Sequence, residues 1–129
     1  IEKLKIFPDE IEARNRVANY YAKGLDGVVA VPKVPEGNLS VWAQYTIRVK
    51  DGTREAFAES LKAKGIPTAI YYPKSMHQQT AYRHFPVADG GLPVCEKLSR
   101  ECISLPMHPY LDTASQDRVI SAVRDAVAG

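Results

Sequence analysis

The stretch Tyr71-Tyr72-Pro73-Lys74-Ser75-Met76-His77-Gln78 puts two phenols, an ammonium, a hydroxyl and an imidazole close together in the chain. It continues the run Ile66 to Pro73, rich in β-branched and aromatic residues, that reads as a strand. These groups therefore leave a strand end, and the loops beyond strand ends are where ligand-binding groups gather. Phenols and an ammonium in that place suit hydrogen bonding and charge pairing to a ligand. The same residues read as packing make one tyrosine a core aromatic, the other a cover for the opposite sheet face, and His77 an exposed loop residue. Both readings stand on the residues alone. Tyr71, Tyr72 and His77 are the candidate substrate-binding side chains.

The rest of the chain offers no self-contained catalytic set. There is no GxGxxG or other phosphate-cradling glycine loop, no HExxH and no CxxC. His77, His84 and His108 lack metal-ligand spacing with cysteine or carboxylate partners, so no metal site is expected. Ser75 does not sit in a nucleophile-elbow context. The two cysteines, Cys95 and Cys102, fall in one expected helix at a separation of about 10 Å along its axis, too far to pair. With Leu98 they form one apolar stripe expected to be buried.

Seventeen Lys and Arg against fifteen Asp and Glu leave a net charge of +2, and the signs alternate along the chain. No basic stripe points to nucleic acid. No apolar run reaches the ~20 residues of a membrane helix and no secretory pattern opens the chain, so a cytoplasmic location with no membrane partner is expected. A length of 129 residues favours one domain, 1–129. The opening Ile1-Glu2-Lys3, without methionine, is expected of a processed chain or of part of a longer one.

The elements that must position the candidate edge follow from periodicity. Pro8 to Leu25 reads as a helix, with Ala13, Val17, Tyr20 and Tyr21 at helical spacing and Glu10–Arg14 and Glu12–Arg16 as pairs on the wet side. A short run at 28–32 ends at Pro32 and reads as a strand end or edge. VWAQYTIRV at 41–49 alternates cleanly and is the clearest strand. A helix from Thr53 as N-cap to Gly65 follows, with Ile66 as the apolar contact after the cap. Residues 74–91 read as loop with a short helix near Gln78 to Tyr82. Pro93 to Cys102 reads as a third helix and Ile103 to Pro106 as a short strand. The last helix opens with a capping box at Thr113 to Gln116 and carries the stripe Val119, Ile120, Val123 and Val127. The sum is an α/β (α+β) two-layer sandwich, a small mainly antiparallel or mixed sheet with helices packed on one face.

One resemblance runs through most of the chain. The succession VWAQYTIRV, REAFAESLKAKGIPTAIYYPKSMHQQTAY, LPVCEKLSRECISLPMHPYL and DRVISAV resembles the C-terminal small domain of the DegT-type sugar aminotransferases, which are fold-type-I pyridoxal phosphate enzymes. The ordered set that carries it is Gln44-Tyr45, Gly65-Ile66, Tyr72-Pro73, His77, Ser104-Leu105-Pro106 and His108-Pro109. The resemblance implies an amino group moved from an amino acid, usually glutamate, to a keto carbon on a nucleotide-linked sugar. It implies further that a large domain elsewhere in the same protein holds pyridoxal phosphate on a lysine, that the enzyme is a homodimer, and that 1–25 links the two domains. None of the nine lysines here resembles the Schiff-base motif, so this chain alone is expected to be inactive and to hold no cofactor covalently. Tyr71-Tyr72-Pro73 matches the family's His-Tyr-Pro-like tripeptide with Tyr71 in place of the histidine, and His77 matches its Pro-Leu-His position after Ser75-Met76. A free-standing ligand-binding or regulatory module, and an aminotransferase of the same family acting on a cyclitol or aromatic precursor, are the competing expectations.

Overall fold

Tyr45 and Ile47 are fully buried, while Thr46 between them is half-buried and Arg48 exposed, so the alternation read from the sequence is realised as a sheet with one core-facing side. The computed structural model describes residues 1–129, and the elements run α1 (Glu2–Gly24), β1 (Tyr45–Arg48), α2 (Arg54–Ala63), α3 (Pro93–Glu101), β2 (Cys102–Leu105) and α4 (Thr113–Ala128). A single 3-10 turn, Met76–Gln78, lies between α2 and α3. Strands β1 and β2 pair antiparallel with Tyr45 opposite Leu105, Thr46 opposite Ser104 and Ile47 opposite Ile103. The core side is covered by Val17, Ala18, Tyr21 and Leu25 around α1, Phe57 and Leu61 of α2, and Val119, Ala122 and Val123 of α4. This is the expected two-layer arrangement, an antiparallel sheet with its main helices on one face. No helix is long and apolar enough to cross a membrane.

The strands are shorter than the alternation suggests, for a local reason. Trp42 sits at φ 47°, in the left-handed region that a bulky residue seldom adopts, and the ladder cannot run through it. Side chains of α1 take two backbone carbonyls a longer strand would have paired, Arg14 Nη1 donating to the Trp42 carbonyl (2.9 Å) and Asn15 Nδ2 to the Ser40 carbonyl (3.1 Å), and the Trp42 indole Nε1 donates in turn to Asn15 Oδ1 (3.0 Å). Val41 and Ala43, which share the phase of Tyr45 and Ile47 in the alternation, are exposed. The expected strands at 28–32 and 66–73 contribute one bridge each, Ala30 to Arg48 and Ala69 to Ser104. Pro32, Pro67 and Pro73 cannot donate to a ladder and confine the pairing to those positions.

Helix ends show the same division between local and distant control. At the end of α2, Ile66 N–H bonds to the Leu61 carbonyl and Gly65 N–H to the Lys62 carbonyl, with Gly65 at φ 72° and Ile66 buried, the full left-handed cap expected. Thr53 occupies the N-cap position but its hydroxyl donates to the Lys50 carbonyl instead (2.7 Å). Helix α4 is capped by Asp112, which accepts from Ser115 N–H at 2.7 Å, one residue before the expected capping box. Gln116 is thereby free to turn inward, buried, and donate to the Val17 carbonyl of α1 (3.0 Å). Val127, the last of the expected stripe, is exposed.

Helix α1 begins six residues earlier than the sequence suggests and passes through Pro8. The proline forfeits one backbone bond, and Lys3 bridges the turn to Glu10. Glu10 is buried, not on the wet side, and accepts from both Lys3 and the Tyr110 hydroxyl, whereas Glu12–Arg16 forms as expected at 2.8 Å.

The hydrogen bond from Lys3, then that from Tyr110, holds the Glu10 carboxyl below its ordinary value of 4.5, and Arg100 does the same for Asp51. A carboxylate whose folded pKa is depressed stabilises the fold above its unfolded value and loses that contribution as pH falls through the folded one. The urea midpoint is therefore expected to fall as pH drops below about 4.5, and less so in Glu10→Gln; a midpoint flat to strong acid contradicts the assignment. Burial pushes the Tyr45 hydroxyl up to about 12, and that hydroxyl has no protein partner, whereas the Tyr21 hydroxyl donates to the Pro106 carbonyl at 3.1 Å. Tyr45→Phe is expected to leave stability unchanged or raise it by about 1 kcal/mol, and Tyr21→Phe to lower it by about 1 kcal/mol, both read by thermal melting.

Candidate functional site

The sheet face turned away from the core is the floor of an open trough of about 800 Å³. Thr46 and Ser104, cross-strand neighbours, share a hydrogen bond there at 2.8 Å between their hydroxyl oxygens. Ala69, bridged to Ser104, extends the floor toward the segment that carries Tyr71 and Tyr72. One wall is α3, which presents Cys95 and Leu98. Its C-terminal end is tied to the domain by Arg54, whose buried guanidinium donates to the Ser99 carbonyl, and by the Arg100–Asp51 pair at 3.0 Å. The opposite wall is the segment from Tyr71 to Gln79, which supplies the only charged group of the lining, Lys74.

Two of the three candidate residues line this trough. Tyr71 is 56% and Tyr72 79% exposed, enough for both phenols to reach a ligand lying across the opening. Neither belongs to the core, so the packing reading of the pair does not hold. His77 is not part of the lining: its Nε2 lies 2.8 Å from Glu96 Oε1 of α3, and its Nδ1 is buried without a protein partner. It is neither an exposed loop residue nor a group that faces the trough.

The cysteine stripe of α3 faces the trough and not the core. Cys95 is exposed, Leu98 and Cys102 are half-buried, Cys102 has left the helix to begin β2, and both thiols are free. The helical period was legible; which side of the sheet would receive it was not. Gln44, Thr46 and Ser104 line the trough as well; their only signal in the sequence is that they are the polar members of an alternation whose apolar members are core. The remaining histidines lie elsewhere, His84 stacked on Phe85 at 4.4 Å and His108 accepting from Tyr110 N–H at 3.2 Å. No three metal-binding side chains come together.

Comparisons with known proteins identify the family of this fold. The model of the DegT/DnrJ/EryC1/StrS aminotransferase family matches residues 1–124, and the chain belongs to that family. It is 44% identical over 126 residues to a UDP-2-acetamido-2-deoxy-3-oxo-D-glucuronate aminotransferase of Pseudomonas aeruginosa, a match covering 95% of this chain and 33% of the relative. The crystal structure of a DegT DnrJ EryC1 StrS aminotransferase from Brucella abortus superposes with a TM-score of 0.91 at 52% identity, over 96% of this chain and 33% of that one. DesV of S. venezuelae, solved in complex with a ketimine intermediate, gives 0.90 at 30% identity over 98% and 34%. The chain thus spans about a third of the length of the relatives it matches.

Aminotransferases of this family depend on pyridoxal phosphate. The trough does not fit that group as a complete site, because a pyridine nitrogen needs an acidic partner and no carboxylate is among the lining residues. What it offers is a wall: two phenols, one ammonium, a pair of hydroxyls and an apolar flank.

Burial raises the Cys102 thiol above its ordinary value of 9.0, which lowers its thiolate fraction at mildly alkaline pH. Thiol titration near pH 8 is expected to modify Cys95 first, with Cys102 following only as pH is raised. Peptide mapping that finds Cys102 labelled ahead of Cys95 contradicts this placement.

Proposed function

We propose that this chain is the C-terminal small domain of a pyridoxal-phosphate-dependent aminotransferase that moves an amino group from an amino acid, with glutamate as donor, to a keto carbon of a nucleotide-linked sugar. The observation that carries the reading is the 44% identity, along 95% of the chain, to a third of an enzyme named for a UDP-linked 3-oxo sugar acid. In this reading the large domain of the same protein supplies the lysine and the acidic partner, residues 1–25 link the two domains, and the enzyme works as a homodimer in the cytoplasm.

Bound pyridoxal phosphate supplies the electron sink that lets an amino group leave one carbon and join another. The part played by this chain is binding and orientation. Tyr71 and Tyr72 donate hydrogen bonds from their phenols to oxygens of the sugar or diphosphate, and Lys74 places an ammonium where a phosphate oxygen can pair with it. The apolar flank along Leu98 keeps water from one side of the bound molecule. Nothing in this wall breaks or forms a bond.

The test is a transamination assay with the reading frame that contains this chain, loaded with pyridoxal phosphate and given glutamate and a UDP-linked 3-keto hexuronic acid. Release of 2-oxoglutarate by the full protein, with neither aldimine-region absorbance nor turnover from residues 1–129 alone, is the expected result. A full protein inert toward every nucleotide keto sugar tried, or turnover by residues 1–129, overturns the reading. In the active enzyme Tyr71→Phe is expected to raise KM for the sugar nucleotide several-fold, in the range of about 1 kcal/mol for one lost hydrogen bond, and an unchanged KM removes the proposed contact.

A further inference from the structure

We propose that His77 is a positioning residue: its imidazole clamps the long connection 70–92 to α3 and so fixes the wall on which Tyr71 and Tyr72 stand. The inference rests on the trough being the sugar-nucleotide wall of an aminotransferase.

The connection from Ala69 to the start of α3 contains no strand and no α-helix, only the turn Met76–Gln78. A loop of that length moves unless something ties it down. Its backbone bonds between Ser75 and Gln79, between Gln79 and Arg83, and between Ala88 and Gly91 all close within the loop itself. Two side-chain hydrogen bonds join it to the rest of the domain, and both land on neighbouring residues of α3. One runs from Cys95 Sγ to the buried Ser75 Oγ at 3.4 Å, with a thiol as donor, a weak interaction. The other is His77 Nε2 to Glu96 Oε1 at 2.8 Å. A carboxylate only accepts, so Nε2 carries the proton of this bond. The imidazole is 16% and the Glu96 side chain 34% exposed, which leaves the pair partly shielded from solvent. The other ring nitrogen is buried and has no protein partner, so Glu96 is the one polar group that specifies where the ring sits.

Sequence neighbours of His77 show what the clamp achieves. Ser75, Met76 and Gln79 line the trough, while His77, inside the 3-10 turn, is directed to α3. Releasing it frees the segment that carries both phenols and Lys74 while leaving their chemistry intact. The effect belongs in binding of the sugar nucleotide, with the amino-acid half-reaction spared.

The experiment uses the full enzyme as wild type, His77→Ala, His77→Gln, Glu96→Ala and the His77→Ala/Glu96→Ala double variant. Hydrogen exchange of peptides within 70–79 reads the clamp without reference to activity, and steady-state kinetics read its consequence. Both alanine variants are expected to speed exchange in that segment and to raise KM for the sugar nucleotide about tenfold with kcat and KM for glutamate nearly unchanged. The double variant is expected to be no worse than either single one. Glutamine, which can still donate to Glu96, restores most of the wild-type value. Unchanged exchange in both alanine variants overturns the proposal, as does a silent Glu96→Ala beside a damaging His77→Ala that glutamine does not rescue, since that pattern means the substrate itself needs the imidazole. A wild-type enzyme without transaminase activity overturns the functional reading instead, and the exchange data then judge the clamp by themselves.

Discussion

A two-stranded sheet with four residues in each strand cannot persist in water without something packed against it. Here the packing is aromatic. Tyr45 of β1 lies with its ring centroid 5.1 Å from Tyr21 of α1 and 5.5 Å from Trp42, in tilted arrangements that favour such pairs. This cluster joins the first helix, the turn before the first strand and the strand itself, and Ile47, Ile103 and Leu105 continue the same buried surface. With Tyr45 and Ile47 committed to the core, Thr46 and its partner Ser104 have only the opposite face available, and the floor of the trough follows from that one commitment.

The two terminal helices close over the cluster through contacts almost as long-range as the chain permits. Gln116 reaches the Val17 carbonyl, Arg124 reaches the Gly24 carbonyl with two of its nitrogens, and the Tyr20 hydroxyl donates to Asp117 at 2.7 Å. Arg124 completes the helix end at Gly24, where a side chain would collide with Ile120: a methyl built there meets its Cδ1 at 2.5 Å. A larger residue at Gly24 would therefore push the Ile120 side chain of α4 aside, while the backbone angle there is ordinary. Lys64–Asp125 adds a further tie between α2 and α4 on the surface, where solvent screening leaves it a small contribution.

The trough is built differently from the core. Its floor and its α3 wall are anchored by sheet pairing and by the Arg54 and Arg100 contacts, but its other wall is a long connection joined to α3 by the His77–Glu96 and Cys95–Ser75 hydrogen bonds. A rigid scaffold carrying an adjustable ligand edge is the common division of labour between elements and loops. The chain spans about a third of the length of the relatives it matches, and a wall with two exposed phenols and no acid of its own is suited to completing a site rather than forming one.

The sequence by itself determined what depends on neighbours a few residues away. The periods of α2 and α4, the alternation around Tyr45 and the Gly65-Ile66 cap are local properties, and the structure follows each of them. Membership of the aminotransferase family was legible too, because it lies in an ordered set of short motifs spread along the chain. Tertiary structure decided the rest. Strand β1 starts late because Arg14 and Asn15, some thirty positions earlier, hold Trp42 in a left-handed turn. The expected capping box of α4 does not form: Asp112 caps the helix and Gln116 instead donates to the Val17 carbonyl across the core. The cysteines face the trough because α3 crosses the polar side of the sheet, and His77 turns from it because Glu96 is there to accept its hydrogen bond. In each case the deciding partner is distant in sequence, and a period or a motif records only that a side chain has a face, not what will meet it.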